Sequence, residues 1–379
     1  MSLPRIALVC PRLQLPDAIG YDVLHEARVF AEAGYPVKIF AESWSPETPA
    51  EPLDRLSRWL RSSGDLLLYH YSVHSPEILN LLRGTDCRRA LRYHNVTPAE
   101  FLEPYDRGFA NALRAGRDLL GAHLAAGVTL ALADSEENQR DLLAAGAPPE
   151  ICTVLAPFHR VPELLAGEAD PDWMRALASA SDSAGRMRNI LMVGRLVPNK
   201  GYEHLIRGFA ALAAQRQDCR LILAGGQDQR LHVYYRELQS IIEETGVVSR
   251  VWLPGSISLA ALRALYRTAD LLAVTSEHEG FCLPLVEAMA HGVPIAALDR
   301  AAVPDTLGDA GLLLDSTEPA YLAAAFQKLL SEPELAQKIG AQGRARYAAQ
   351  FTNERLAGLL LKRIHEYVSH RPAHSPSSA

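Results

Sequence analysis

The chain reads as an α/β protein made of two Rossmann-like domains facing each other. Short β-rich runs alternate with amphipathic helical stretches, the mark of βαβ units around a parallel sheet. That rhythm breaks once, over residues 159 to 188, and then restarts. A length of 379 residues also exceeds one ordinary domain.

In chain order, the first set of strands is predicted at RIALVC, PVKIFAE, DLLLYHY, RRALRYHN, VTLALADS and CTVLAP. Helical stretches such as YDVLHEARVFAEAG lie between them. The segment 159 to 188 mixes prolines, small residues and both charges, and reads as the inter-domain connection with some helix of its own. The second set follows at NILMVG, RLILAGG, VWLPG, LLAVTS, PIAALD and GLLLD, and past Asp315 the chain reads as helical to about Ser369. The closing RPAHSPSSA has the composition of a disordered tail.

Composition narrows the function classes. A hydrophobic fraction of 48% and a charged fraction of 22% fit a globular protein with sizeable cores. A net charge of -6 argues against a dedicated nucleic-acid binder. The five cysteines stand far apart without a CxxC pair, so neither a disulfide framework nor a zinc site is expected. The opening MSLPRIALVC passes at once into a strand-like run and is not expected to be a signal peptide, and no run reaches the roughly 20 apolar residues of a membrane span. A cytoplasmic location is the expectation. The basic piece RLSRWLR, residues 55 to 61, could rest on an anionic membrane at its inner face, although a solvated helix face is the preferred reading.

Two stretches carry chemistry. In SEHEGFCLPLVEAMAHGVP, residues 276 to 294, a strand gives way to a tight loop and a helix N-terminus, with Glu279 in the loop and Glu287 on the helix. Such a junction presents backbone N–H groups and the positive end of the helix dipole. Carboxylates there would repel a phosphate but accept from sugar hydroxyls; either glutamate alone is more often structural. In NILMVGRLVPNKGYEHLIRGFAAL, residues 189 to 212, a strand ends at Gly194, Arg195 follows, and Lys200-Gly201 opens a helix with Leu205, Ile206, Phe209 and Leu212 on its apolar face. Ligands of open α/β sheets sit beyond the carboxyl ends of strands, so these two cations occupy a binding edge and suit a diphosphate. Asp17 could be an acceptor contact or a helix cap, and Gly20 after PDAI sits at the first strand–helix turn, where glycine lets a loop approach a ligand.

These elements, with VPDTLGDAGLLL after them and PDAIGYDV, LRYHNVTPAEF and ADSEENQRDL before them, resemble the retaining glycosyltransferase family 4, the glycosyl transferases group 1. Glu279 and Glu287 match that family's E-x7-E spacing. The resemblance implies the GT-B fold, two Rossmann-like domains facing each other across a cleft. It implies an acceptor-binding domain at 1–165, a nucleotide-sugar-binding domain at 185–350 and a helix at 351–370 crossing back to the first, with 371–379 as the tail.

The function so implied is retaining, metal-independent transfer of a hexose from a nucleotide-diphosphate-sugar. The acceptor would be a glycan or lipid-linked saccharide in bacterial surface polysaccharide synthesis, with no cofactor beyond the donor. Arg195 and Lys200 would hold the diphosphate, Glu279 the transferred sugar and Glu287 the nucleotide ribose. The backbone around Gly280, Phe281, Cys282 and Leu283, with Gly194 and Gly20, would complete the donor site. His94 in RYHNVTP would touch the donor sugar near its reacting carbon. His70, His74 and His278 receive no such support.

Departures are few: Cys282 stands where many members have glycine, Asp305 where many have glutamate, and Thr275 replaces a frequent proline. Rival readings are a GT-B phosphorylase or epimerase, and a non-catalytic nucleotide-sugar-binding subunit.

Overall fold

The computed structural model describes residues 3–369 apart from 16, 179 and 182–184, so the tail expected at 371–379 lies outside the described residues. The chain forms two compact units. The first takes residues up to Val96, then Ala112–His159, and resumes at Asn353; the second takes Thr97–Asn111 and Arg160–Thr352.

In the first unit β1 (Ile6–Leu13), β2 (Val37–Trp44), β3 (Ala50–Pro52), β4 (Leu66–Tyr71), β5 (Arg88–Tyr93), β6 (Leu130–Ala133) and β7 (Cys152–Val154) form one parallel sheet. Their spatial order is β3-β2-β1-β4-β5-β6-β7. Ile6 to Cys10 of β1 are wholly buried, as expected of a parallel strand covered on both faces. The order reverses direction between β1 and β4, which makes their carboxyl ends the switch point of the sheet. β3 is the one strand of this sheet that the sequence pattern did not predict.

One face is covered by the helices Ala18–Glu32 and Asn353–Ser369, the second of which sets Leu356, Leu360 and Ile364 into the core beside Ile6, Leu8 and Phe30. Each such side chain contributes roughly 2 kcal/mol by burial. The chain leaves this unit at His159 and returns at Asn353, and the two points are tied: the Asn353 amide donates to the His159 carbonyl at 2.9 Å and accepts from its N–H at 3.4 Å.

The second unit holds a small hairpin of β8 (Ala180–Ser181) and β9 (Gly185–Arg186), and a parallel sheet of β10 (Arg188–Val193), β11 (Cys219–Ala224), β12 (Val251–Gly255), β13 (Ala269–Val274), β14 (Ile295–Leu298) and β15 (Leu312–Leu314). The order β12-β11-β10-β13-β14-β15 places its switch point between β10 and β13.

The unit boundaries differ from the expected ones at two places. Residues expected in the connection instead pack within the second unit as the helices Val161–Ala166 and Pro171–Ala178. Arginines fix them by donating to carbonyls at the helix ends and just beyond: Arg263 to Glu163 and Glu168, Arg267 to Gly167, Arg220 to Ala176 and Leu177. This unit therefore begins near residue 160 rather than 185. The second difference is Thr97–Asn111, which the expected bounds of 1–165 place in the first domain. It belongs to the second unit, where the Tyr105 hydroxyl donates to Glu237 at 2.7 Å and the Arg230 guanidinium lies 4.0 Å over the Phe109 ring.

Among the described residues no helix is long and apolar enough to cross a membrane. The stretch RLSRWLR forms only four residues of α-helix, Leu56–Trp59. Its tryptophan ring is engaged by Arg5 at 4.9 Å and Lys38 at 4.8 Å, so it offers no continuous amphipathic face.

Candidate functional site

The second unit assembles most of the predicted residues at its switch point. Past β10, Gly194 leads to the exposed Arg195, and a short 3-10 turn Pro198–Lys200 delivers Lys200 to the start of the helix Tyr202–Ala213. Gly201 between them has φ 62°, and a Cβ there would lie 2.3 Å from the Thr275 carbonyl oxygen. Only glycine permits that approach, which brings the end of β10 against the end of β13. The Thr275 hydroxyl returns a hydrogen bond to the Gly201 carbonyl at 2.8 Å, and the Tyr202 hydroxyl donates to the Gly194 carbonyl at 2.7 Å. Asn199 clamps the following loop, accepting from the N–H groups of Glu277 and His278 and donating to the His278 carbonyl.

The result is direct contact between two residues 79 apart in sequence: Lys200 Nζ lies 2.6 Å from Glu279 Oε1. Ser276 donates to the same oxygen at 2.8 Å. Burial would raise the Glu279 carboxyl, but the Lys200 ammonium and the Ser276 and Cys282 side chains outweigh it and hold it below its ordinary value. Glu279 is thus a buried, ionised acceptor. Lys200 spends one of its three N–H donors on it and keeps the rest for another acceptor.

Gly280, Phe281 and Cys282 complete the loop, and Leu283 begins the helix Leu283–His291. Phe281 is held by the Thr306 hydroxyl, which donates to its carbonyl at 2.6 Å. Glu287, one turn into the helix and half-buried, accepts from the Tyr266 hydroxyl at 2.6 Å. Burial raises its carboxyl, with Tyr266 and Arg160 opposing.

Cys282 occupies the N-cap with φ 74° and ψ 68°, left-handed backbone that explains why glycine suits this position. Its thiol is buried and pushed well above its ordinary value, mainly by burial and by the neighbouring Glu279. Cys282→Gly is therefore expected to be more stable than Cys282→Ala by about 1 kcal/mol, since both lose the thiol and only alanine keeps the strain. Urea unfolding of the two variants measures this, and alanine as the more stable would contradict it.

Gly20 and His94 belong to the first unit. A Cβ on Gly20 would lie 2.1 Å from the Gln14 carbonyl oxygen, so the glycine is required by the protein's own loop. Asp17 caps the helix, accepting from the Gly20 N–H at 3.3 Å. His94 follows β5, and its side chain is only 3% exposed. Its Nδ1 is 2.8 Å from Asp134 Oδ2 and its Nε2 is 2.9 Å from His70 Nδ1, so both ring nitrogens are engaged within the unit.

Around them lies a buried charge cluster that sequence reasoning missed. Arg92 approaches Asp22 at 2.9 Å, Glu26 at 2.5 Å and Asp134 at 3.2 Å, and donates to the Leu155 and Ala156 carbonyls. The signal for it was Asp22 and Glu26 at i, i+4 on the apolar side of the first helix, beside Val23, Val29 and Phe30. Asp22, His70 and His94 offer three ligand atoms within 4.8 Å of one another. The Arg92 guanidinium already lies against Asp22, which fits protons rather than a metal ion as the charge held there.

Two parallel-sheet units with these strand orders define the class: the fold is GT-B. Solved structures agree over nearly the whole chain. Sucrose-phosphate synthase from Thermosynechococcus elongatus has a TM-score of 0.75 at 20% identity, covering 97% of this chain and 99% of its own. The Anabaena protein HepE in complex with UDP-glucose has a TM-score of 0.74 at 17% identity, covering 95% and 99%. Residues 177–346 match the family model described as Glycosyl transferases group 1.

Among its relatives are a D-inositol 3-phosphate glycosyltransferase of Thermobispora bispora, 32% identical over 59% of this chain and 54% of that protein, and an MMP alpha-(1->4)-mannosyltransferase of Mycolicibacterium hassiacum, 33% identical over 46% and 42%. The chain spans about half the length of these curated relatives.

Proposed function

We propose that this protein transfers a hexose from a nucleotide-diphosphate-sugar to a saccharide or lipid-linked saccharide, with retention of anomeric configuration and without a metal. The contact between Lys200 and Glu279 at the switch point of the second sheet carries the reading. It sets a cation for phosphate beside a carboxylate for sugar hydroxyls, with Arg195 at the end of the same strand and a helix N-terminus alongside. A relative named as a mannosyltransferase and a structural neighbour solved with UDP-glucose support the donor class.

In this reading Arg195 and Lys200 stabilise charge growing on the diphosphate as the bond from the sugar's anomeric carbon to phosphate oxygen breaks. The acceptor oxygen bonds to that carbon on the same face, the leaving oxygen keeps the electron pair, and the acceptor's proton passes to the diphosphate. Glu279 Oε1 already accepts from Lys200 and Ser276, which suits an acceptor of sugar hydroxyls better than a nucleophile. Glu287, tied to Tyr266, is placed for the nucleotide ribose. His94 bears on the donor sugar through its charge, an assignment that rests on the family resemblance. Synthesis of a bacterial surface polysaccharide is the setting proposed.

The test is turnover of UDP-, GDP- and dTDP-sugars, with NMR of the first-formed product. The donor's anomeric configuration is expected; an inverted product, or no turnover with any donor, would refute the reading. Mass spectrometry during turnover of a slow fluorinated donor should find unmodified protein, and a glycosylated Glu279 peptide would count against same-face attack. Activity should also survive EDTA, because two cations already oppose the diphosphate; loss with EDTA and recovery with magnesium would overturn that part.

A further inference from the structure

The first unit has its own switch point, between β1 and β4, and the buried cluster sits there: Asp22 and Glu26 on the helix after β1, His70 in β4, Arg92 and His94 in and just after β5, Asp134 after β6. Asp22, Glu26, His70 and Arg92 have no exposure at all. The hydrogen-bond order can be read from chemistry. The contact of His70 Nδ1 with His94 Nε2 at 2.9 Å needs one donor and one acceptor. His94 Nδ1 faces the carboxylate of Asp134, so it carries a proton. His70 Nε2 faces Glu26 Oε2 at 3.4 Å, so it carries one as well. Only one proton remains to be placed, on the bond between the rings.

We propose that His70 is a positioning residue, which accepts that proton-bearing bond from His94 Nε2 and so holds His94 as a fixed imidazolium at the carboxyl edge of the first sheet. This rests on the reading that His94 bears on the donor sugar.

Charge supports the assignment. Three carboxylates face one guanidinium, so the buried cluster lacks two positive charges. A proton on His94 supplies one. Burial and the neighbouring Glu26 push the Asp22 carboxyl up to about 7 against the pull of Arg92, which lessens the remaining deficit. Burial would lower both imidazoles, yet Asp134 and Asp22 leave His94 raised, while His70, near Glu26 but also near His94 and Arg92, is left lowered. The ring centroids lie 5.2 Å apart with 11° between planes, the near-coplanar, edge-to-edge arrangement of a direct ring-to-ring hydrogen bond. A ring with both nitrogens so held acts on a substrate through its charge rather than by exchanging a proton.

The experiment is nitrogen-15 imidazole NMR of the full chain between pH 6 and 8, assigned with His70→Asn and His94→Gln. The expected result is a doubly protonated His94 and a neutral His70 carrying its proton on Nε2. In His70→Asn, whose amide oxygen can still accept, His94 should stay charged; in His70→Phe it should titrate at lower pH, and kcat should fall roughly tenfold with the donor KM little changed. A neutral His94 at pH 7, a charged His70, or stoichiometric zinc in the purified protein would each overturn the proposal. The expected NMR pattern with full activity in His94→Gln would instead overturn the role of His94 at the donor while leaving the pairing intact.

Discussion

Lys200→Ala is expected to lower kcat/KM by about one to two orders of magnitude or more, the worth of one charge-assisted hydrogen bond to the diphosphate at roughly 1.5 to 3 kcal/mol. A second effect adds to the first. Without the ammonium 2.6 Å away, Glu279 is left as a buried carboxylate whose remaining support includes Ser276. Burial then raises its carboxyl, and it becomes a poorer acceptor for the sugar. Lys200→Ala should therefore lose stability as well as activity, and adding Glu279→Gln should restore stability alone. Arg195→Ala makes the contrast: an exposed side chain is removed, so activity should fall by a similar factor with unfolding unchanged. Steady-state kinetics and urea melts on the four proteins decide the matter. Near-wild-type turnover in Lys200→Ala or Arg195→Ala would remove that residue from the diphosphate and sink the paired assignment.

Arg92→Met should produce the largest loss of stability, about 3 to 5 kcal/mol, because it strips Asp22, Glu26 and Asp134 of their shared buried counter-ion. The pH dependence follows. Carboxylates buried without a cation have raised pKa values in the folded state, so they favour unfolding when ionised and cease to do so once protonated. The deficit relative to wild type should accordingly shrink between pH 8 and pH 5.5. Denaturant titrations at both values test this, and a deficit below about 1 kcal/mol, or one that grows toward acid, would show that Arg92 is dispensable to the cluster.

Much of the frame was legible because its signals are local. Each βα unit shows itself as an apolar run followed by an amphipathic stretch, and the strands from RIALVC to GLLLD form where the pattern places them. Gly194, Gly201 and the E-x7-E spacing likewise announce a strand end, a helix start and a loop. What escaped was mostly pairing across long sequence separations. Ser276 and Tyr266 look ordinary in sequence, and their roles appear only when the loop closes on Lys200 and one helix lies against the next. Thr97–Asn111 carries no local mark of the unit it joins, since Tyr105 and Phe109 find partners more than a hundred residues away.

His94 divides the two kinds of knowledge most clearly. Its place just beyond a strand in RYHNVTP was readable from the residues before it. That both its nitrogens are engaged, one by an aspartate 40 residues later and one by a histidine 24 residues earlier, was not. The sequence determined by itself the two α/β units, the order of their strands along the chain and the chemical types at the second switch point, because periodicity and strand ends are properties of neighbouring residues. Tertiary structure alone decided which charge faces which. Hydrogen-bond partners and the desolvation that shifts their protons depend on distances in space, set only when strands far apart in the chain lie side by side.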